Sequence, residues 1–237
     1  MFARSIMMAS GAQGFSLIIS ADAFRPNLRA LANAAGYNGL SPIQITVASG
    51  VVIANCATGS FGAGLLTLIN RGVIGGESGG VGLTVTSAIK VYNYGSISSG
   101  GGNGGSGEGA TYYQGTGGGS TVTATGGDGG IGAGYAWNAS TSKCVLQNYG
   151  AGTPGQYRVY GGAVSGGQQP VWIQAGAGGD GGAVGQAGGG GYQHTSGGSG
   201  TLQSVFGRSS GTAAGYAVLG NTNVTWLATG TITGPVN

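Results

Sequence analysis

Charge is scarce in this chain: eight Lys and Arg and five Asp and Glu among 237 residues. The net charge of +3 and the pI near 9.0 therefore rest on very few side chains. The basic residues are scattered (Arg4, Arg25, Arg29, Arg71, Lys90, Lys143, Arg158, Arg208) and form no stripe. Nucleic-acid binding needs a clustered basic face, so that partner is excluded. Proline is rare at five residues, which with the lack of a strict triplet in the glycine tracts excludes collagen. The two cysteines, Cys56 and Cys144, make no CxxC pair; free buried thiols are expected, with a disulfide as the alternative. No apolar run approaches the roughly 18 residues of a spanning helix, so no membrane insertion is expected. The start, Met1 to Phe24, has Arg4 and an apolar stretch at Ser16 to Ile19. Ser10 to Gly14 interrupts it, however, and no signal peptide is expected.

What is abundant is glycine, 58 residues, beside a hydrophobic content of 40% with eleven Tyr and three Trp. A disordered chain would normally be charged and poor in aromatics, so this one folds. Glycine loses the most backbone entropy on ordering. Tracts such as 100–105 and 188–191 can be ordered only by dense backbone contact. Polyglycine II helices packed side by side provide it, because a missing Cβ lets backbones approach closely. A flexible linker is the alternative, disfavoured because bulky residues interrupt the tracts. On this reading valine at Gly189 would destabilise the fold.

Residues 26–36 predict a short helix, with Pro26 at its first position and Gly36 as its stop. Ile43–Val47 alternates, Ala48 to Gly50 turns, and Val51 to Ala54 runs on, which predicts a hairpin. A repeat then appears at 66–75, 89–98 and 224–233. Aligned on Gly72, Gly95 and Gly230, each copy has apolar residues six and four positions earlier and isoleucine two later. The pattern predicts a period-2 strand, a glycine with positive φ, and a second short strand. The three copies are expected as neighbours in one sheet, so the chain returns where it left. The fold class expected is mostly β and irregular: a small N-terminal segment with one short helix and β-strand rungs, then a polyglycine II-type sandwich with protruding loops. The divisions are 1–58, 59–99 (β rungs), 100–214 (glycine-rich, loop-presenting) and 215–237 (closing rung).

Reaction chemistry finds little support. Asp22, Glu77, Glu108, Asp128 and Asp180 are dispersed, and a glycosidase would need two carboxylates about 5 to 9.5 Å apart. The single histidine, His194, lies in a polar loop with no nucleophile elbow in the chain. Residues 126–132 and 178–183 look like calcium nonapeptides, but Asp follows Gly-Gly directly and offers too few oxygens. No phosphate loop is present. The chain is read as a non-enzyme with no cofactor and no metal.

The segment Asn27 to Gly39, Ile45 to Val47 and Gly50 to Val52, followed by Asn70-Arg71-Gly72-Val73-Ile74 and Asn93-Tyr94-Gly95-Ser96-Ile97, resembles the start of glycine-rich bacteriophage tail proteins. There a strand ending in Asn-x-Gly-x-Ile leads into a glycine-rich region, as 100–102 does here. Residues 100–214 are similar in style to the receptor-recognising adhesins of T-even-type tail fibres, whose glycine segments form polyglycine II sandwiches. The N-terminal segment departs from the attachment region of those adhesins. The resemblance implies a virion protein at a tail tip or tail fibre that recognises a host surface receptor, an outer-membrane protein or a glycan. It implies docking on other tail proteins through the N-terminal segment 1–58, with a homotrimer among the open assemblies.

Loops on a rigid scaffold carry recognition, and Tyr and Trp give rigid contact area. The receptor-binding candidates are therefore Tyr112, Tyr113, Tyr135, Trp137, Tyr157, Arg158, Tyr160, Trp172, Tyr192 and His194. About half of all aromatics, Trp226 among them, are expected to cover the scaffold instead. Two other readings stand beside this one: a structural tail-tip or baseplate component without receptor contact, and a glycine-rich cell-surface protein.

Overall fold

The structure is a computed structural model that describes residues 14–114, 120–160 and 168–237. The part of the leader-like start before Gly14 lies outside the described residues.

The repeat is the unit of a parallel β-solenoid. Its first rung is β1 (Phe15–Ile19) and β2 (Ala23–Phe24), followed by helix α1 (Leu28–Ala34). The second is β3 (Ile43–Val47), β4 (Val52–Ala54) and β5 (Cys56–Ala57); the third is β6 (Leu66–Asn70), β7 (Val73–Gly75) and β8 (Leu83–Thr84). The fourth begins with β9 (Ile89–Asn93) and β10 (Ser96–Ser98). The chain then leaves for residues 99–217 and returns as β19 (Val218–Leu219), which pairs in parallel with β8 and so completes the face that the fourth rung lacked. The strands of the excursion, β11 to β18, are placed below. β20 (Val224–Ala228) and β21 (Thr231–Thr233) make the fifth rung.

Stacking gives three parallel sheets, ordered β1-β3-β6-β9-β20, β2-β4-β7-β10-β21 and β5-β8-β19. Period-2 alternation aims one set of side chains inward. Leu17, Ile45, Leu68, Val91 and Trp226 stand in register, as do Ile53, Ile74, Ile97 and Ile232. Those are the apolar positions of the repeat, and nearly all belong to one buried core. The three copies thus lie side by side. Each is split over two sheets, because the glycine corner turns the chain between faces.

Several local expectations are corrected. Residues 43–54 form no hairpin: β3 and β4 each pair in parallel with the rungs on either side. A turn between two strands of one solenoid rung carries the same sequence signal as a hairpin turn. Pro26 precedes the helix cap instead of opening the helix. Asn27 is the cap, and its side chain accepts from the Ala30 N–H at 3.0 Å. Gly36 ends the helix as expected, at φ +93°, with the Tyr37 N–H on Ala32 and its own on Asn33. Of the three repeat glycines only Gly230 has positive φ, at 50°. Gly72 and Gly95 are required by crowding: a Cβ there would collide with the carbonyls of Val51 and Gly72 respectively.

The repeated Asn two residues before Gly72 and Gly95 has a physical cause inside this chain. Asn70 and Asn93 are buried at the corner. Asn70 Nδ2 donates to Asn93 Oδ1 at 2.8 Å and to the Ser96 carbonyl at 3.0 Å, and Asn93 Nδ2 donates to the Thr229 carbonyl at 2.7 Å. The ladder keeps the two buried amides paired and gives the Ser96 and Thr229 carbonyls side-chain donors.

The excursion is a lattice of six glycine-rich segments, 100–108, 126–133, 150–156, 175–182, 186–192 and 208–215. Hydrogen bonds recur at every third residue. In the first segment Gly101, Gly104 and Gly107 donate to Ala133, Gly130 and Gly127 of the second at 2.7 to 2.8 Å. Gly102, Gly105 and Glu108 donate to Gln186, Gly189 and Tyr192 of the fifth at 2.8 to 2.9 Å. A three-residue turn with no internal bonds is polyglycine II. The same pattern joins second to third and fourth, third to fourth, first to fourth and sixth, and fifth to fourth and sixth. That connectivity is two layers of three helices, second-first-sixth over third-fourth-fifth. No glycine of these segments has φ in the positive region, so the helices are left-handed. Almost every one faces a neighbour's carbonyl where a Cβ would stand. Gly189 is an exception: a Cβ there meets Asp180 at 3.5 Å and Gly179 Cα at 3.9 Å, in ordinary contact, so valine at Gly189 is a poor probe of packing. Gly188 and Gly191 are the crowded positions of that run.

Candidate functional site

Segment direction sorts the connections into two ends. The first segment leaves the solenoid beside Gly80, whose carbonyl accepts from Gly100 at 3.0 Å, and runs outward to Glu108. Alternate connections therefore lie far from the solenoid or against it.

The far end holds three: β11 (Gly109–Gln114) to β12 (Ser120–Ala124), β15 (Tyr157–Val159) to β16 (Trp172–Gln174), and β17 (Thr195–Gly197) to β18 (Thr201–Phe206). They build two small antiparallel sheets, β12-β11-β18 and β15-β16-β17. Between them lies a second core of Ala110, Ala124, Ile173 and Ala175, with Tyr112 and Val122 packed on it. The near end holds the hairpin of β13 (Gly134–Asn138) and β14 (Lys143–Gln147), and the turn at 183–186.

The ten candidates divide accordingly. Tyr157, Arg158 and Trp172 sit exposed on the far sheet β15-β16-β17, with the Tyr157 and Trp172 rings 6.4 Å apart. Tyr192, 64% exposed, stands at the end of the fifth segment, and Tyr160 is half-buried beyond β15. Tyr113 is half-buried on β11. Tyr112 and His194 are also at the far end but face inward. The Ser196 hydroxyl donates to Tyr112 Oη at 2.5 Å, and Tyr112 Oη lies 3.3 Å from His194 Nε2. His194 Nδ1 faces Glu108 Oε1 at 3.4 Å, close enough for charge attraction but outside hydrogen-bond alignment.

Tyr135 and Trp137 are not at that end. The Tyr135 N–H donates to Gly76 at 2.9 Å, and a Cβ on Gly75 would strike the Tyr135 ring. Asp22, buried in the solenoid, accepts from the Cys144 N–H and the Val52 N–H at 3.0 Å each, fastening the hairpin down. Tyr135 and Trp137 line a groove of about 680 Å³ with Phe24, Glu77 and Ile131. Burial, and secondarily Cys144, raises the Tyr135 pKa. Sequence reasoning grouped Tyr135 and Trp137 with the far-end aromatics because spacing cannot tell which way a segment runs.

It also passed over apolar positions. Val159, Leu202, Val205 and Phe206 are exposed at the far end, and every residue of β18 is exposed. The signal was available: Thr201–Phe206 is a strand-like run without charge next to a glycine turn.

Both thiols are free and buried. Burial pushes Cys56 up to about 12; Cys144 rises to about 11 through burial first and the Asp22 charge second. Among the described residues no cluster of three or more His, Cys, Asp or Glu could hold a metal ion. No helix among them is long and apolar enough to cross a membrane.

A stiff, nearly uncharged lattice, pinned at one end and bearing exposed rings at the other, defines a loop-presenting binding module of the adhesin class. The chain belongs to the phage tail fibre adhesin Gp38 family, whose model matches residues 14–237. That family is one of adhesins and not an enzyme class, and it places the chain among virion tail proteins. Among solved structures the chain is similar to the crystal structure of the gp37-gp38 adhesin tip complex of the bacteriophage S16 long tail fibre. Identity is 20%, coverage is 94% of this chain and 82% of that one, and the TM-score is 0.47. No curated protein matches the chain.

Proposed function

We propose that this adhesin grips the host surface with the far end of its glycine lattice, centred on Tyr157, Arg158, Trp172 and Tyr192. The exposed Tyr157–Trp172 pair carries the reading. A soluble protein leaves two large neighbouring rings in water at the end of a rigid support when they meet a partner. Arg158 beside them adds a donor fork, and the exposed Val159 and Leu202 add apolar area. The set suits an outer-membrane protein loop or a glycan. Tyr135 and Trp137 serve the joint between hairpin and solenoid.

A tail-fibre adhesin must be held by its fibre, and the first rung is the surface proposed for that. Among the described residues β1 and β2 have a strand on one side only, and Ile18 is 40% exposed. Parallel edges of this kind accept further strands.

Purified protein added to host cells should block adsorption of the phage, and a Tyr157→Ala/Trp172→Ala protein should not. Equal blocking by both would place recognition away from these two rings; no blocking by either would favour the structural reading, in which the far end touches other tail proteins.

A further inference from the structure

The only histidine of the chain and one of its five carboxylates meet where the lattice ends and the far sheets begin. Glu108 is the last residue of the first segment, and β11 starts at the next position. His194 immediately precedes β17. Tyr112 belongs to one far sheet, Ser196 and His194 to the strand and turn of the other. The bonds from Tyr112 Oη to Ser196 and His194 therefore cross between the two sheets. Glu108 itself is clamped, its N–H on Tyr192 and its carbonyl accepting from Gly176.

The side chains of Glu108 and His194 are only 12% and 13% exposed. Burying a carboxylate costs free energy unless it is compensated, and the group that faces Glu108 is the imidazole edge, 3.4 Å away. The rest of the contact between the two sheets is small. Ala110, Ala124, Ile173 and Ala175 are short or singly branched and offer little shape to fix an angle.

We infer that Glu108, His194, Tyr112 and Ser196 form a polar joint that sets the angle between the two far sheets, making Tyr112 and His194 positioning residues for receptor binding rather than contacts. Polar networks of this type fix a unique arrangement where apolar packing alone would allow several. The inference rests on the reading that the far end meets the receptor.

Phage carrying single substitutions tests it, with adsorption rate and the melting of the purified protein as the two readouts. Tyr112→Phe keeps the ring on the second core and removes the hydroxyl with its two hydrogen bonds; adsorption should slow at least about fivefold, the worth of one such bond or more, with at most a small drop in melting. His194→Leu should slow adsorption at least as much. His194→Gln should restore it to within about twofold, since an amide can reach Tyr112 with one atom and turn the other toward Glu108. A filler role would instead make Leu the better replacement, so Gln as poor as Leu overturns the inference. Parental adsorption by Tyr112→Phe and His194→Leu also overturns it when Trp172→Ala fails to adsorb. If Trp172→Ala adsorbs normally, the receptor-contact reading is what falls.

Discussion

At the residue scale, glycine here is a steric requirement and only occasionally a conformational one. In the first segment a Cβ on Gly101, Gly104 or Gly107 would run into a carbonyl of the fourth segment, and one on Gly102 or Gly105 into the sixth. The non-glycine residues are Asn103, Ser106 and Glu108, so up to Ser106 the segment reads Gly-Gly-x. The second reads likewise around Asp128 and Ile131, and the fourth around Asp180; at the third position Asn103, Asp128, Ile131 and Asp180 are exposed. Gly191→Ala should therefore destabilise by more than about 2 kcal/mol through overpacking. Gly190→Ala, with nothing nearer than Ser210 Cα at 3.9 Å, should be neutral or stabilising by up to about 1 kcal/mol. Thermal melts of the two proteins check the pair. The thiols give a second residue-scale prediction. With Cys56 near 12 and Cys144 near 11, the thiolate is scarce at pH 8, and alkylation of the folded protein should be negligible until denaturant exposes both groups. Mass spectrometry before and after unfolding reads it.

At the scale of elements, the solenoid was legible from one regularity. Apolar positions six and four before a glycine and isoleucine two after it are the inward ladders of two sheets, and the copies at 66–75, 89–98 and 224–233 stack as neighbours. The rungs at 15–24 and 43–54 were missed because they lack the corner glycine two residues after the strand, where Ala21 and Ser49 stand. Val47 and Ile19 occupy the register of Asn70. The triplet in the glycine segments was visible too, over runs of six to nine residues, but is hidden when sought along the whole chain. The direction of each segment was not legible, which is why Tyr135 and Trp137 were grouped with residues of the opposite end. The corner ladder yields a prediction at this scale. Asn93→Ala leaves the Thr229 carbonyl and the Asn70 amide short of a partner and should cost about 1 to 3 kcal/mol. Loss should appear as a lower melting temperature, while Asn93→Ala as stable as the parent would deny the ladder its role.

At the scale of the whole molecule, the design separates holding from touching. Residues 99–217 leave the fourth rung and come back to it, so both ends of the lattice are fixed in one solenoid. The lattice in turn fixes the strands that carry the far loops, and little ordering entropy remains to be lost when they bind. The central claim is that recognition belongs to that far end. Its most direct measurement is the adsorption rate, on one host, of phage carrying Tyr157→Ala/Trp172→Ala beside phage carrying Trp137→Ala. The account predicts that the first adsorbs at least about tenfold more slowly with tails fully assembled, because two hot-spot rings are gone, and that the second adsorbs normally. Normal adsorption by the double variant, or loss confined to Trp137→Ala, would contradict it.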